Sequence, residues 1–222
     1  MSGNKTICVA LDLSKTSEIL GMIRLLGDEL DMVKLHCDII EDFDDAFIEE
    51  LVALKRHHHF RIWEDRKFAD IGYIAERQIK NSVFKIEKWA DIVSFHAVAG
   101  LGSIPKDTGN LSVFLVVEMS NVGNLCCSEY IRRATEIANS KPNITGIVAQ
   151  HRPDNLGCDK LIISPGVNLT GVTGDKIDQQ YDTIENKMFA DVYVIGRAIT
   201  QAEDPKAIFR QLNETIKETK HN

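Results

Sequence analysis

The 222-residue sequence contains no apolar run long enough for a membrane-spanning helix, which needs about 20 residues. It has no excess of positive charge: 26 Lys and Arg stand against 33 Asp and Glu, a net charge of −7. General nucleic-acid and anionic-membrane binders depend on clustered cations and are disfavoured, although a local basic pocket for a phosphate is compatible with this balance. It has no disulfide or zinc framework either. Cys8, Cys37, Cys126, Cys127 and Cys158 are odd in number and match no metal-ligand spacing, as expected of free thiols in a reducing compartment. The opening MSGNKTICVALDLSKT has one early Lys but no apolar stretch after it. No secretory signal is expected, and a cytoplasmic location follows. No G-x-G-x-x-G dinucleotide fingerprint occurs. His57, His58 and His59 are adjacent, so they point in different directions and suit a solvated helix end better than a metal. No low-complexity linker or composition shift divides the chain, so one domain over residues 1–222 is expected.

What the sequence does have is alternation. Short β-branched apolar runs recur at Ile7–Leu11, Met32–Leu35, His59–Trp63, Asp91–Phe95, Ser112–Val117, Gly146–Ala149, Lys160–Ser164 and Val192–Gly196. Each has the length of a buried parallel strand. Amphipathic stretches lie between them. Ser17–Glu29, with Ser17 as N-cap, places Ile19, Leu20, Ile23 and Leu26 at helical spacing. Asp44–Arg56, Ser128–Asn139 with Ser128 as cap, and Asp204–Thr219 with Pro205 in its first turn read the same way. Leu101–Asn110 and His151–Asp159 are weaker connections. Eight strands alternating with helices in about 220 residues predict an α/β fold, a (β/α)8 TIM barrel, with an open doubly wound sheet as competitor.

Polar residues follow the apolar runs on their C-terminal sides. Asp12 ends the first, Lys34, His36 and Asp38 the second, and Asp65, Lys67 and Asp70 the third. His96, Glu118 with Ser120, Gln150, Ser164-Pro165-Gly166 and Gly196-Arg197 continue the series. In a barrel these positions converge on one mouth, where such folds build their sites. Asp65 and Lys67, two apart in an extended backbone, are expected to project together. With Lys34 and Asp70 they make a set of two cations and two anions. Such a set keeps a lysine charged, a proton donor and not an amine nucleophile. Loops after strands seven and eight of this barrel usually bind phosphate, and Arg197 offers the fork that phosphate oxygens accept. The Gly- and Thr-rich stretch Asn168–Asp175 suits a closing loop.

The segment Asp65-Arg66-Lys67-Phe68-Ala69-Asp70-Ile71-Gly72 resembles the D-x-K-x-x-D signature of the orotidine 5′-phosphate decarboxylases, especially the eukaryotic form. Val9-Ala10-Leu11-Asp12, Lys34-Leu35-His36-Cys37-Asp38, Trp89–Ile92 with His96, and Glu118-Met119-Ser120 are similar to further motifs of that family. Ile163–Val167, Gln179-Gln180-Tyr181 and Val194–Arg197 follow in the family's order. The resemblance implies a homodimeric (β/α)8 barrel that converts orotidine 5′-monophosphate to uridine 5′-monophosphate and CO2, with no metal or organic cofactor. It implies that Asp12 and Lys34 bind ribose hydroxyls, with Lys34 also in the charge network, and that His36 lies beside ribose and phosphate. Asp65 then faces the departing carboxylate, Lys67 protonates C6, and Asp70 reaches the partner's site. Ser120 and Gln179 read the pyrimidine, Tyr181 and Arg197 hold the phosphate, and Pro165 and Gly196 line the substrate. Two departures stand out: Ile74 occupies a position where many relatives carry Thr, and Ala10 one where they often carry Ser.

The chemistry suits the residues. Loss of CO2 leaves a lone pair on a ring carbon that cannot delocalise, and most decarboxylases meet such a demand with a cofactor as electron sink. A fixed ammonium at Lys67 is the electrostatic alternative. The same scaffold admits a keto-sugar-phosphate decarboxylase or a hexulose-phosphate synthase, which typically use Mg2+. A catalytically silent nucleotide-binding barrel is the reading from outside enzymes.

Overall fold

The computed structural model describes residues 5–168 and 181–218. Eight parallel strands close into a barrel in sequence order: β1 (Thr6–Ala10), β2 (Met32–Leu35), β3 (Arg61–Phe68), β4 (Ile92–His96), β5 (Ser112–Val116), β6 (Ile144–Val148), β7 (Leu161–Pro165) and β8 (Val192–Ile195). β8 pairs with β1, with Cys8 opposite Val194, so no sheet edge remains among these strands. The α-helices are α1 (Thr16–Leu26), α2 (Asp45–His58), α3 (Gly72–Lys80), α4 (Ser128–Ser140), the single turn α5 (Arg197–Thr200) and α6 (Pro205–Glu218). The two connections read as weak carry no α-helix. Leu101–Ser103 is one 3-10 turn, and residues 151–159 form turns.

Strand periodicity sorts the side chains into two layers. Cys8, Ala10, Met32, Trp63, Ile92, Phe114, Val116, Val148, Ile163, Val192 and Val194 fill the barrel interior. The intervening residues, such as Val9, Val33, Ile62, Phe95 and Leu115, pack outward against the helices. α6 lays Phe209, Leu212 and Ile216 on that outer layer, each buried, at roughly 2 kcal/mol of hydrophobic gain apiece. Gly146 is required by close approach: a Cβ there lies 2.6 Å from Ile163 Cδ1 and 3.0 Å from the Leu161 carbonyl. Two aspartates staple the strand starts. Asp91, just before β4, accepts from Ile62 N, and Asp191, just before β8, accepts from Ile162 N, both at 2.8 Å.

Helix starts differ from the sequence reading at two places. α1 begins at Thr16, whose N–H is held by Asp42 Oδ1 at 2.9 Å, so the capping oxygen comes from another loop and not from Ser17. In α4, Ser128 is already helical and Cys127 stands at the cap position. The other two starts follow the pattern, with Asp44 accepting from Phe47 N and Asp204 from Ala207 N. His59 ends α2 in a left-handed conformation (φ 61°), while His58 Nδ1 lies 2.6 Å from Asp28. Among the described residues, no helix is long and apolar enough to cross a membrane.

Candidate active site

β3 does not stop at Trp63 but runs on to Phe68, so Asp65, Arg66 and Lys67 lie within it and not after it. The reason is a bulge. Glu64 pairs with Val93 and Phe68 with Phe95, so four steps on β3 span two on β4. Lys67 absorbs the distortion in the left-handed region, at φ 58°, a conformation that costs a side-chain-bearing residue about 1–2 kcal/mol. The prediction that Asp65 and Lys67 project together is fulfilled, but through this bulge and not through plain alternation. Lys67 Nζ bonds Asp65 Oδ2 at 2.8 Å. Strain stored at a mouth residue is a common mark of a functional position.

Around Asp65 the charges interlock. Lys34 Nζ, from β2, lies 3.7 Å from Asp65 Oδ2 and bonds Asp12 Oδ1, just past β1, at 2.7 Å. The order along the mouth is therefore Asp12, Lys34, Asp65, Lys67. Burial works against both central charges, yet their neighbours win. Asp65 is pushed up by desolvation, but the Lys67 and Lys34 ammonium groups outweigh this and hold its carboxyl below the usual range. Lys34, opposed by burial, ends above the usual lysine value because of Asp65 and Asp12. His36 Nε2 stands 3.6 Å from Asp65 Oδ2, and burial followed by Lys34 pushes its pKa down, which favours a neutral ring. His96, at the end of β4, is lowered by burial and then by Lys67.

Asp70 does not join this set within the chain. Its carboxylate is exposed and accepts from Ile71 N at 2.6 Å. Asp12 takes the place of second anion. The sequence reading also missed Ser94, a fully buried hydroxyl that donates to Asp65 Oδ1 at 2.7 Å. A single serine inside an apolar strand run offered no signal beyond its being the one polar residue of Ile92–Phe95.

A cavity of about 1100 Å3 opens above these charges, lined by Asp12, Lys34, His36, Asp65 and Lys67 on one side. Ser120, Pro165, Tyr181, Gly196 and Arg197 line the other side. Ser120 follows Glu118, whose carboxylate accepts from the N–H groups of Gln150 and His151 and so ties the β5 and β6 ends together below the loop. Gly196 passes close to Ala10, where an added Cβ would sit 3.3 Å from the Ala10 Cβ. Arg197, in the first turn of α5, donates from Nη2 to Tyr181 Oη at 2.7 Å and lies 5.8 Å from the Tyr181 ring centre. Gln179 and residues 169–175 of the expected closing loop lie outside the described residues.

Buried fixed charges at one end of the cavity and an exposed guanidinium at the other define a (β/α)8-barrel enzyme site at the C-terminal mouth, shaped for an elongated anionic substrate. The chain belongs to the orotidine 5′-phosphate decarboxylase / HUMPS family, which matches residues 5–212. It is 37% identical over 207 residues to the orotidine 5′-phosphate decarboxylase of Pachysolen tannophilus, covering 87% of this chain and 77% of that protein. To the enzyme of the same name from Schizosaccharomyces pombe it is 38% identical over 202 residues, covering 87% and 76%. Among solved structures, the orotidine 5′-phosphate decarboxylase of Pyrococcus horikoshii superposes with a TM-score of 0.74 at 26% identity, over 95% of this chain and 99% of that one.

Proposed function

We propose that the chain decarboxylates orotidine 5′-monophosphate to uridine 5′-monophosphate and CO2. One observation carries the reading beyond the family: a lysine held beside a buried carboxylate at the closed end of a cavity whose far rim presents Arg197. In this reading Arg197, oriented by its bond to Tyr181 Oη, takes the phosphate, and Asp12 with Lys34 takes the ribose hydroxyls. Ser120, Pro165 and Gly196 lie along the base and linker. That arrangement delivers the C6 carboxylate to Asp65, where the carboxylates repel. The C6–carboxylate bond breaks, its electron pair stays on C6, and the Lys67 ammonium stabilises the pair and then supplies the proton. Lys67 leaves the cycle as an amine and regains its proton from water. No metal or organic cofactor takes part in this scheme.

The charge network is preorganised. Three ion-pair contacts already orient Lys67, so little reorganisation accompanies the reaction. The test is the fall in pyrimidine absorbance with orotidine 5′-monophosphate in excess chelator. Turnover there establishes the reading. Absence of turnover, with Mg2+-dependent activity on a keto-sugar phosphate instead, would transfer the chain to the other branch of its family.

The working unit in this reading is a homodimer, with Asp70 donated across the interface. Ile71 and Tyr73 beside it, and Val98 and Leu101 on the adjoining segment, are exposed apolar residues. The two segments approach closely, since a Cβ on Gly72 would lie 3.0 Å from the Gly102 carbonyl. An exposed apolar patch of this kind suits a self-complementary contact. Sedimentation should give twice the chain mass, and Tyr73→Asp should shift it to one. The five free cysteines fit a reducing cytoplasm.

A further inference from the structure

Lys67 and Lys34 fix the Oδ2 side of Asp65, and something must fix the other side. A buried carboxylate with one free oxygen could rotate about its χ angles and carry Lys67 with it. Ser94 closes this freedom. It projects into the barrel from β4, fully buried, and its Oγ lies 2.7 Å from Asp65 Oδ1 and 2.7 Å from Trp63 Nε1. The direction of both bonds is forced. An indole N–H only donates, so Ser94 Oγ must accept from Trp63, and the one hydroxyl proton is left for Asp65. Trp63 is itself immobile: it is 1% exposed and packs edge-on against Phe114, with ring centres 5.2 Å apart.

We infer that Trp63 and Ser94 form a positioning relay for the decarboxylation proposed above, anchoring Asp65 so that Lys67 stays aimed at the reacting carbon. Neither residue touches the reacting atoms in this role. The relay runs from the packed interior to the charge network, and it links β3 to β4 at the level where the bulge interrupts their backbone pairing. It therefore replaces, with side chains, the register control that the bulge removes.

The experiment compares Ser94→Ala and Trp63→Phe with the parent enzyme in steady-state kinetics and in substrate-free crystal structures. Ser94→Ala should lower kcat about tenfold to a hundredfold, the range for one hydrogen bond to a charged group, with KM changed less than about threefold. Its structure should show Asp65 in a second orientation, with the Lys67 contact broken in part. Trp63→Phe keeps the hydroxyl and frees its rotor, so kcat should fall about threefold. If Ser94→Ala does not fold, Trp63→Phe alone decides, and an unchanged kcat there overturns the relay. An unchanged kcat in Ser94→Ala, or a rise confined to KM, overturns it as well. If the parent enzyme does not turn over orotidine 5′-monophosphate, the proposed reaction fails, and the relay then stands or falls on the Asp65 orientation alone.

Discussion

The two sides of the mouth are built on opposite plans. On the β1–β4 side the ionisable groups are interlocked: Asp65 and Lys34 are each 5% exposed, and each has at least two partners on the strands or just past their ends. On the β7–β8 side Arg197 is exposed and donates to a tyrosine hydroxyl on a loop. The difference follows from what the proposed reaction asks of each side. Stabilising a developing carbanion requires charges that do not reorganise, and burial among fixed partners secures that. Capturing a phosphate from water requires a cation that solvent and ligand can reach, and rigidity there would slow entry and release. Binding energy gathered at the exposed side holds the substrate in register with a buried side that is already assembled.

The comparison breaks most visibly at Lys67. Lys67→Ala removes both the stabilising charge and the proton donor, and turnover should fall by roughly 10^4-fold or more. Uridine 5′-monophosphate should still bind, measured by calorimetry. A variant within tenfold of the parent would falsify the role given to Lys67.

The next largest effect concerns stability on the buried side. Glu64 points outward from β3, fully buried, and accepts from Cys37 N at 3.0 Å. Burial pushes its carboxyl up to about 8, against the pull of the Cys37 and Arg66 N–H groups and with help from Asp65 and Asp38. Between about pH 5 and 8 the folded protein therefore holds a proton that the unfolded chain has lost. Its contribution to stability is complete below the unfolded carboxylate range and declines as pH rises toward 8. Glu64→Gln keeps the acceptor and cannot titrate. Denaturant unfolding should show the variant gaining on the parent by roughly 3 kcal/mol from pH 5 to pH 8. Parallel pH profiles would place no raised carboxyl there.

These two residues also show what the sequence revealed. Lys67 was legible because the polar run Glu64-Asp65-Arg66 leads up to it and because D-x-K-x-x-D is a dense pattern at one strand end. The covered parallel sheet was legible for a related reason, in the eight apolar runs that alternate with amphipathic stretches, while its closure into a barrel competed with an open doubly wound sheet. The bulge was not, because a strand that continues through Asp65-Arg66-Lys67 looks the same in sequence as a strand that ends before it. Ser94 and Glu64 were hidden because their importance lies in partners some 30 residues away. The α1 start was misread for the same reason, its capping oxygen arriving from Asp42. Local pattern reports what a residue is, and only the closed barrel reports what it meets.

The exposed side predicts smaller and differently distributed effects. Arg197→Ala should raise KM about a hundredfold, the loss of a charge-assisted phosphate contact, while kcat at saturation changes little because the Lys67 network is left intact. A fall confined to kcat would mean that the guanidinium acts on the chemistry and would erase the division between the two sides.

Tyr181→Phe tests how loosely that side is assembled. It deletes the oxygen that accepts from Arg197 Nη2 and keeps the ring 5.8 Å from the guanidinium carbon. One net hydrogen bond to a cation in a solvated setting predicts a KM rise of about threefold to tenfold. In the Arg197→Ala background the same change should add little, because a tyrosine that acts by orienting Arg197 has nothing left to orient. Full additivity in that double-mutant cycle would instead assign Tyr181 its own contact with the phosphate, and the exposed side would then hold its ligand through two independent groups.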